Sequence, residues 1–198
     1  MEIGHIKHNN LFEGSVNETD NVTSRARQNW TQSCEDSLNK QINMEYYASH
    51  YYHLLYTFFK RDNIALGNIA NFFKKSSEEE REHAEKLMDY QVTRGGVVQF
   101  TGVDKIELDL NAGSKDFDYV LKSFEKALEL EKSVNESLLN LHKTADEDND
   151  PQFADFLEGN YLNEQVEANY ELSKYITQLE MIGNNGFGIY MFDKEFEN

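Results

Sequence analysis

Residues 78–86 read EEEREHAEK, a dense run of carboxylates with one histidine among them. Similar polar residues recur elsewhere in the chain at positions where an apolar one is expected. At helical spacing, Leu38, Ile42, Glu45, Ser49, Tyr52, Tyr56 and Phe59 share one face. A second stripe runs Leu66, Ile69, Phe73, Ser76, Glu80, His83, Leu87, Tyr90. A third runs Phe117, Leu121, Phe124, Leu128, Glu131, Val134, Leu138, Leu141, and a fourth Leu157, Tyr161, Gln165, Ala168, Leu172, Tyr175, Leu179, Ile182. Each stripe thus carries a polar member near its middle: Glu45, then Glu80 with His83 at i and i+3, then Glu131, then Gln165. A lone ionised carboxylate in a core costs several kcal/mol even after relaxation, against about 20 kcal/mol in the idealised Born limit. Three would also repel one another, and no lysine or arginine falls on the stripes at that level. Protonation, pairing and a bound cation are the ways out, and a cation is the economical one. Oxygen-rich ligands with one imidazole suit iron or another hard-to-borderline divalent ion rather than structural zinc. One such glutamate is ordinarily a tilted residue reaching solvent. Four helices sharing the defect at compatible heights favour a metal centre.

The elements that must hold these residues are legible in outline. Residues 1–26 are polar, Asn-rich and largely aperiodic, and read as a flexible arm. His5 and His8 in it read as ordinary tail histidines. Residues 27–198 read as one domain. Helix one starts after Thr31, and RDNIALG breaks it from helix two. RGG at 94–96 predicts a left-handed cap at the end of helix two. Residues 95–116 are long and irregular, with weak alternation in VVQFTGVDKIELDL that predicts at most a short strand. A connection of that length lets two consecutive helices run parallel. Asp150 and Pro151 mark the N-cap and first turn of the fourth helix. Each helix has about 30 residues, roughly 45 Å of rod. GNNG at 183–186 ends the fourth, and FGIYMFDKEF closes the chain as a short apolar helix. The expected fold is all-α: a four-helix bundle with a long crossover between helices two and three and a short fifth helix.

Acidic residues number 36 against 19 basic, a formal charge of −17. They are dispersed rather than blocked. Such a field repels nucleic acid and anionic membranes and draws in cations, so neither nucleic acid nor membrane is an expected partner. No apolar run nears the roughly 20 residues of a membrane span. Cys34 is the single cysteine, which points to a reducing compartment. The first 30 residues show no apolar leader core, and Glu2, Glu13, Glu18 and Asp20 do not suit a mitochondrial presequence. The expected location is cytoplasmic.

Five segments, QINMEYYASHYY, EEEREHAEKLMDYQVTRGG, LEKSVNESLLNLH, DPQFADFLEGNYLNEQV and GIYMFDKEF, resemble ferritin segments and stand in ferritin order. The resemblance covers about residues 27–196 and is closest to heavy-chain-type subunits. It implies iron oxidation with O2 and storage in a hollow shell of twenty-four subunits, of one kind or mixed with other ferritin subunits. Fe2+ and O2 are the implied partners, and iron in both oxidation states the implied metal. By resemblance, Glu45, Glu80 and His83 match one iron site. Glu80 and Glu131 match a second, with Glu80 bridging. Gln165 and Tyr52 match residues beside the centre, and Glu79 a carboxylate passing iron toward the cavity. Asp155, Glu158 and His142 match threefold-pore residues, and Glu78, Glu82 and Glu85 match or approximate a mineral-nucleating cluster. Without the resemblance, Asp155 and Glu158 read as acids complementing a helix dipole, and the cluster as a solvated face.

The chain also departs from the family pattern. A second Glu-x-x-His is missing, its positions being Gln165 and Ala168. That weakens the second iron site and argues against di-iron oxygenases. Ala154 replaces a cysteine common in animal ferritins, Met191 a common leucine, and Glu195 a common histidine. The loop at 95–116 is several residues longer than usual. The alternatives are a non-catalytic mineral-nucleating subunit and a metal-free signalling bundle.

Overall fold

A computed structural model describes residues 24–111 and 117–196. The expected arm, with His5 and His8, lies largely outside the described residues. Three long helices come first: α1 (Gln32–Phe59), α2 (Gly67–Thr93) and α3 (Asp118–Glu147). The fourth rod is composite. It consists of α4 (Pro151–Leu157), a π-helical turn (Glu158–Leu162) and α5 (Asn163–Ile182). A short α6 (Gly186–Glu195) ends the described chain. No strand forms among the described residues, so the alternation at 97–110 does not become one.

The pairings fix the topology. Ser49 meets Ser77, and Tyr46 meets Met88, so α1 and α2 are antiparallel. Thr31 reaches Asp148 and Tyr52 reaches Glu131, so α3 also opposes α1 and lies parallel to α2. The crossover makes this possible by running down the outside of α1. Asn39 and Asn43, one turn apart, hold it like a ladder. Val97 O accepts from Asn39, Gln99 N–H donates to Asn39, and Thr101 N–H donates to Asn43, at 2.9–3.0 Å. Side-chain amides thus satisfy backbone groups that a strand partner would otherwise take.

Most helix ends follow local chemistry, though Leu66 before α2 and Phe117 before α3 carry no side-chain cap. Thr31, Asp150 and Asn185 each accept a first-turn N–H of the helix they precede. Gly95 adopts φ +78° after α2, where a side chain would also strike Arg27 and Ser24. Leu66, before α2, offers no cap. Asp193 of α6 supplies it from across the chain, accepting from the Asn68 and Ile69 amides at 3.0 and 2.9 Å.

Aromatic residues close both ends of the core. Phe59, Phe72, Phe73, Phe124 and Tyr175 pack under Phe192 of α6 and Phe196 just after it. At the other end Trp30, Tyr90 and Phe153 cluster, with the Arg94 guanidinium 4.6 Å from the Trp30 ring. The polar level of the bundle lies between these caps.

Candidate iron centre

The π turn decides which face of the fourth rod points inward. Leu157, Tyr161 and Gln165 are spaced by four and four. In regular α-helix, eight residues overshoot two turns by about 80°. The wider π turn absorbs that excess, and all three residues are buried. Insertions of this type are frequent at functional sites.

Glu45 of α1 is fully buried, and Glu80 of α2, Glu131 of α3 and Gln165 of α5 are each at most 4% exposed. Ligand atoms of Glu45, Glu80 and His83 lie within 4.8 Å of one another. Glu80 stands close enough to both Glu45 and Glu131 for its carboxyl to feel each of them. The Tyr52 hydroxyl donates to Glu131 Oε1, and Gln165 Nε2 donates to Glu131 Oε2 at 3.1 Å. Gln41 Nε2 donates to Glu45 Oε1 at 2.8 Å. Glu45 Oε2 and Gln165 Oε1 are buried and accept no hydrogen bond from the protein. Two buried oxygens with lone pairs to spare, beside an imidazole nitrogen, form a donor set that fits a cation. Among the described residues no lysine or arginine pairs with these carboxylates. Burial, reinforced by Glu80, raises the Glu45 carboxyl well above the ordinary range, and burial with Glu131 does the same to Glu80. The Tyr52 hydroxyl is raised by burial and by the Glu131 charge.

The centre opens to the outside between α2 and α5. Among the described residues no Cα of one comes within 8 Å of a Cα of the other. The gap is a cleft of about 580 Å³ lined by Glu79, Glu80, Glu82 and His83 on one side and Glu164, Gln165 and Glu171 on the other. Burial in this cleft raises the Glu79 carboxyl, despite the opposing effect of His83.

The remaining expected site residues lie elsewhere. Glu78 sits on another side of α2, in a groove with His50, His53 and Arg81, 3.2 Å from Lys74. Glu85 is exposed and 3.6 Å from Arg81. Of the expected nucleation residues, only Glu82 faces the cleft. His142 Nε2 lies 2.8 Å from Glu158 Oε1, and its Nδ1 lies 3.3 Å from Asp146. Asp155 is exposed, just past the first turn of the fourth rod. Sequence reasoning missed Glu164, whose carboxylate is 3.0 Å from His83 Nε2. It falls off the apolar stripe, so burial periodicity could not mark it.

The Ferritin family model, a ferritin-like domain, matches residues 35–182. The chain belongs to the ferritin family. A chloroplastic ferritin of Malus baccata var. xiaojinensis is 51% identical over 171 residues, covering 86% of this chain and 67% of that protein. A chloroplastic ferritin of Phaseolus vulgaris is 50% identical, covering 86% and 66%. The ferritin middle subunit of the frog Aquarana catesbeiana is 46% identical over 175 residues, covering 87% and 96%. The chain thus spans about two thirds of the length of these plant ferritins. The expectation of a cytoplasmic location is overturned by the plant relatives, which are designated chloroplastic. The physical reason is that one buried cysteine reports a reducing environment, and more than one compartment is reducing.

Proposed function

We propose that this ferritin-family chain oxidises Fe2+ with O2 at the Glu45–Glu80–His83–Glu131 level and stores the ferric product inside a shell of its copies. Residues 27–198 are the working unit, and the designation of the plant relatives supports a plastid location. The observation that carries the reading is the convergence of Glu45, Glu80 and His83 ligand atoms within 4.8 Å in a buried setting. Fe2+ is substrate here. Each of two ferrous ions gives up one electron, and O2 takes two electrons and two protons to become hydrogen peroxide. The chain's part is to gather the ions, neutralise their charge and limit access. Glu80, close to both Glu45 and Glu131, suits a carboxylate shared by two ions. Gln165 is a poorer ligand than a glutamate, so the second ion is held weakly and ferric product moves on. Glu79 and Glu82 line the way out. The ligand set makes a purely mineral-nucleating role the weaker reading.

Stopped-flow mixing of Fe2+ with the aerobic protein tests this. The native protein should show a fast oxidation phase that disappears in a Glu45→Ala, His83→Ala double variant. An equal fast phase in both would refute the assignment.

A further inference from the structure

His83 has two ring nitrogens, and only one can face an ion. Its Nδ1 lies 3.3 Å from Glu80 Oε2, on the side of the buried carboxylates. Its Nε2 points the other way, into the cleft, 3.0 Å from Glu164 Oε2. A carboxylate offers acceptors only, so the proton of this contact belongs to Nε2. Nδ1 also faces a carboxylate, so the tautomer is decided only when a cation sits beside Glu80: with Nε2–H held by Glu164, the Nδ1 lone pair is then left for the ion. The ring is held from a second side by Tyr161, 5.5 Å away edge-to-face, whose hydroxyl donates to the His83 carbonyl at 3.0 Å. Tyr161 belongs to the π turn, and Glu164 follows it by one turn. The same backbone irregularity that brings Gln165 inward therefore delivers both groups that hold the imidazole.

We infer that Glu164 is a positioning residue of the iron centre, fixing the tautomer and rotation of His83 so that Nδ1 is the metal ligand. The inference rests on the proposed function, since it presumes that His83 binds the ion. Glu164 has the geometry of the outer carboxylate that accompanies most metal-binding histidines, where its loss costs about 10- to 100-fold in affinity. Its side chain is half-exposed and hydrogen-bonded to His83 alone among the described contacts. Charge is the competing explanation for any effect of its removal, because an acid in a cation-attracting cleft concentrates cations regardless of geometry. Glutamine separates the two. It loses the charge but keeps an oxygen that accepts from Nε2–H.

The experiment is titration of the metal-free full-length protein with Co2+ alone, followed by calorimetry and by the visible absorption of the bound ion. The His83→Ala variant identifies the band that belongs to the centre. The expected result is an affinity about 10- to 100-fold weaker in Glu164→Ala and close to native in Glu164→Gln. Unchanged affinity in both variants overturns the inference and leaves the proposed centre standing. Equal weakening in both also overturns it, in favour of charge. If the native protein shows no band that His83→Ala removes, the proposed centre itself fails and the inference falls with it.

Discussion

At the scale of single residues, the centre is a set of acids whose protonation opposes metal binding. The Glu45 carboxyl is raised by burial and by Glu80, and the Glu80 carboxyl by burial and by Glu131. Raised folded values mean that the folded metal-free chain binds more protons than the unfolded one. Its stability therefore falls as pH climbs from the ordinary glutamate range, about 4.3, toward the raised values. Glu45→Gln and Glu80→Gln remove that dependence. Thermal melts of the metal-free variants should decline less between about pH 5 and pH 8 than those of the native protein. A bound cation must displace the same protons, so metal affinity should strengthen as pH rises, and calorimetry in buffers of different ionisation heat should register proton release. Cys34 gives a separate check. Burial pushes its thiol up to about 11, so at pH 8 only about one molecule in a thousand is thiolate. Native protein should resist iodoacetamide at pH 8 while the unfolded chain labels within minutes, as read by mass spectrometry.

At the scale of elements, two contacts outside the centre set where its ligands stand. Ser49 and Ser77 exchange hydrogen bonds across α1 and α2, each hydroxyl donating to the other's carbonyl at 2.6 and 2.8 Å. Ser49 is one turn from Glu45, and Ser77 is three residues from Glu80. The two hydroxyls also lie 3.3 Å from each other, so a double-mutant cycle with Ser49→Ala and Ser77→Ala should show coupling of about 1 kcal/mol in denaturant unfolding. Strict additivity would show that the two hydroxyls act independently. Asp193 caps α2 from α6, so Asp193→Ala should cost about 1 kcal/mol and speed amide exchange at Asn68 and Ile69. Unchanged protection at those amides would contradict the capping role.

These elements also show what the sequence could and could not disclose. The stripes placed Glu45, Glu80, Glu131 and Gln165 inward because apolar period alone determines which face a long helix buries. The same period put Ser76 on the inner face, whereas Ser77 is the buried residue, because a close helix crossing accepts a small side chain off the stripe. The π turn left no local mark, since its register change matters only against the neighbouring helices. Asp193 and the Asn39–Asn43 ladder act over long sequence separations, beyond any local pattern.

At the scale of the whole molecule, the surface is strongly acidic and its α6 end is unusually apolar for exposed residues. Phe187, Tyr190 and Met191 are all about half-exposed or more. A shell of many copies, the form usual in the ferritin family, would cover them. Light scattering of the purified protein should therefore report a large cage. A monomer or dimer would contradict storage inside a shell without touching the centre. The most direct measurement is iron anomalous diffraction from metal-free crystals soaked anaerobically in ferrous salt. The account requires a peak among Glu45, Glu80 and His83 and a weaker one between Glu80 and Glu131. Density elsewhere with none at this level would contradict it.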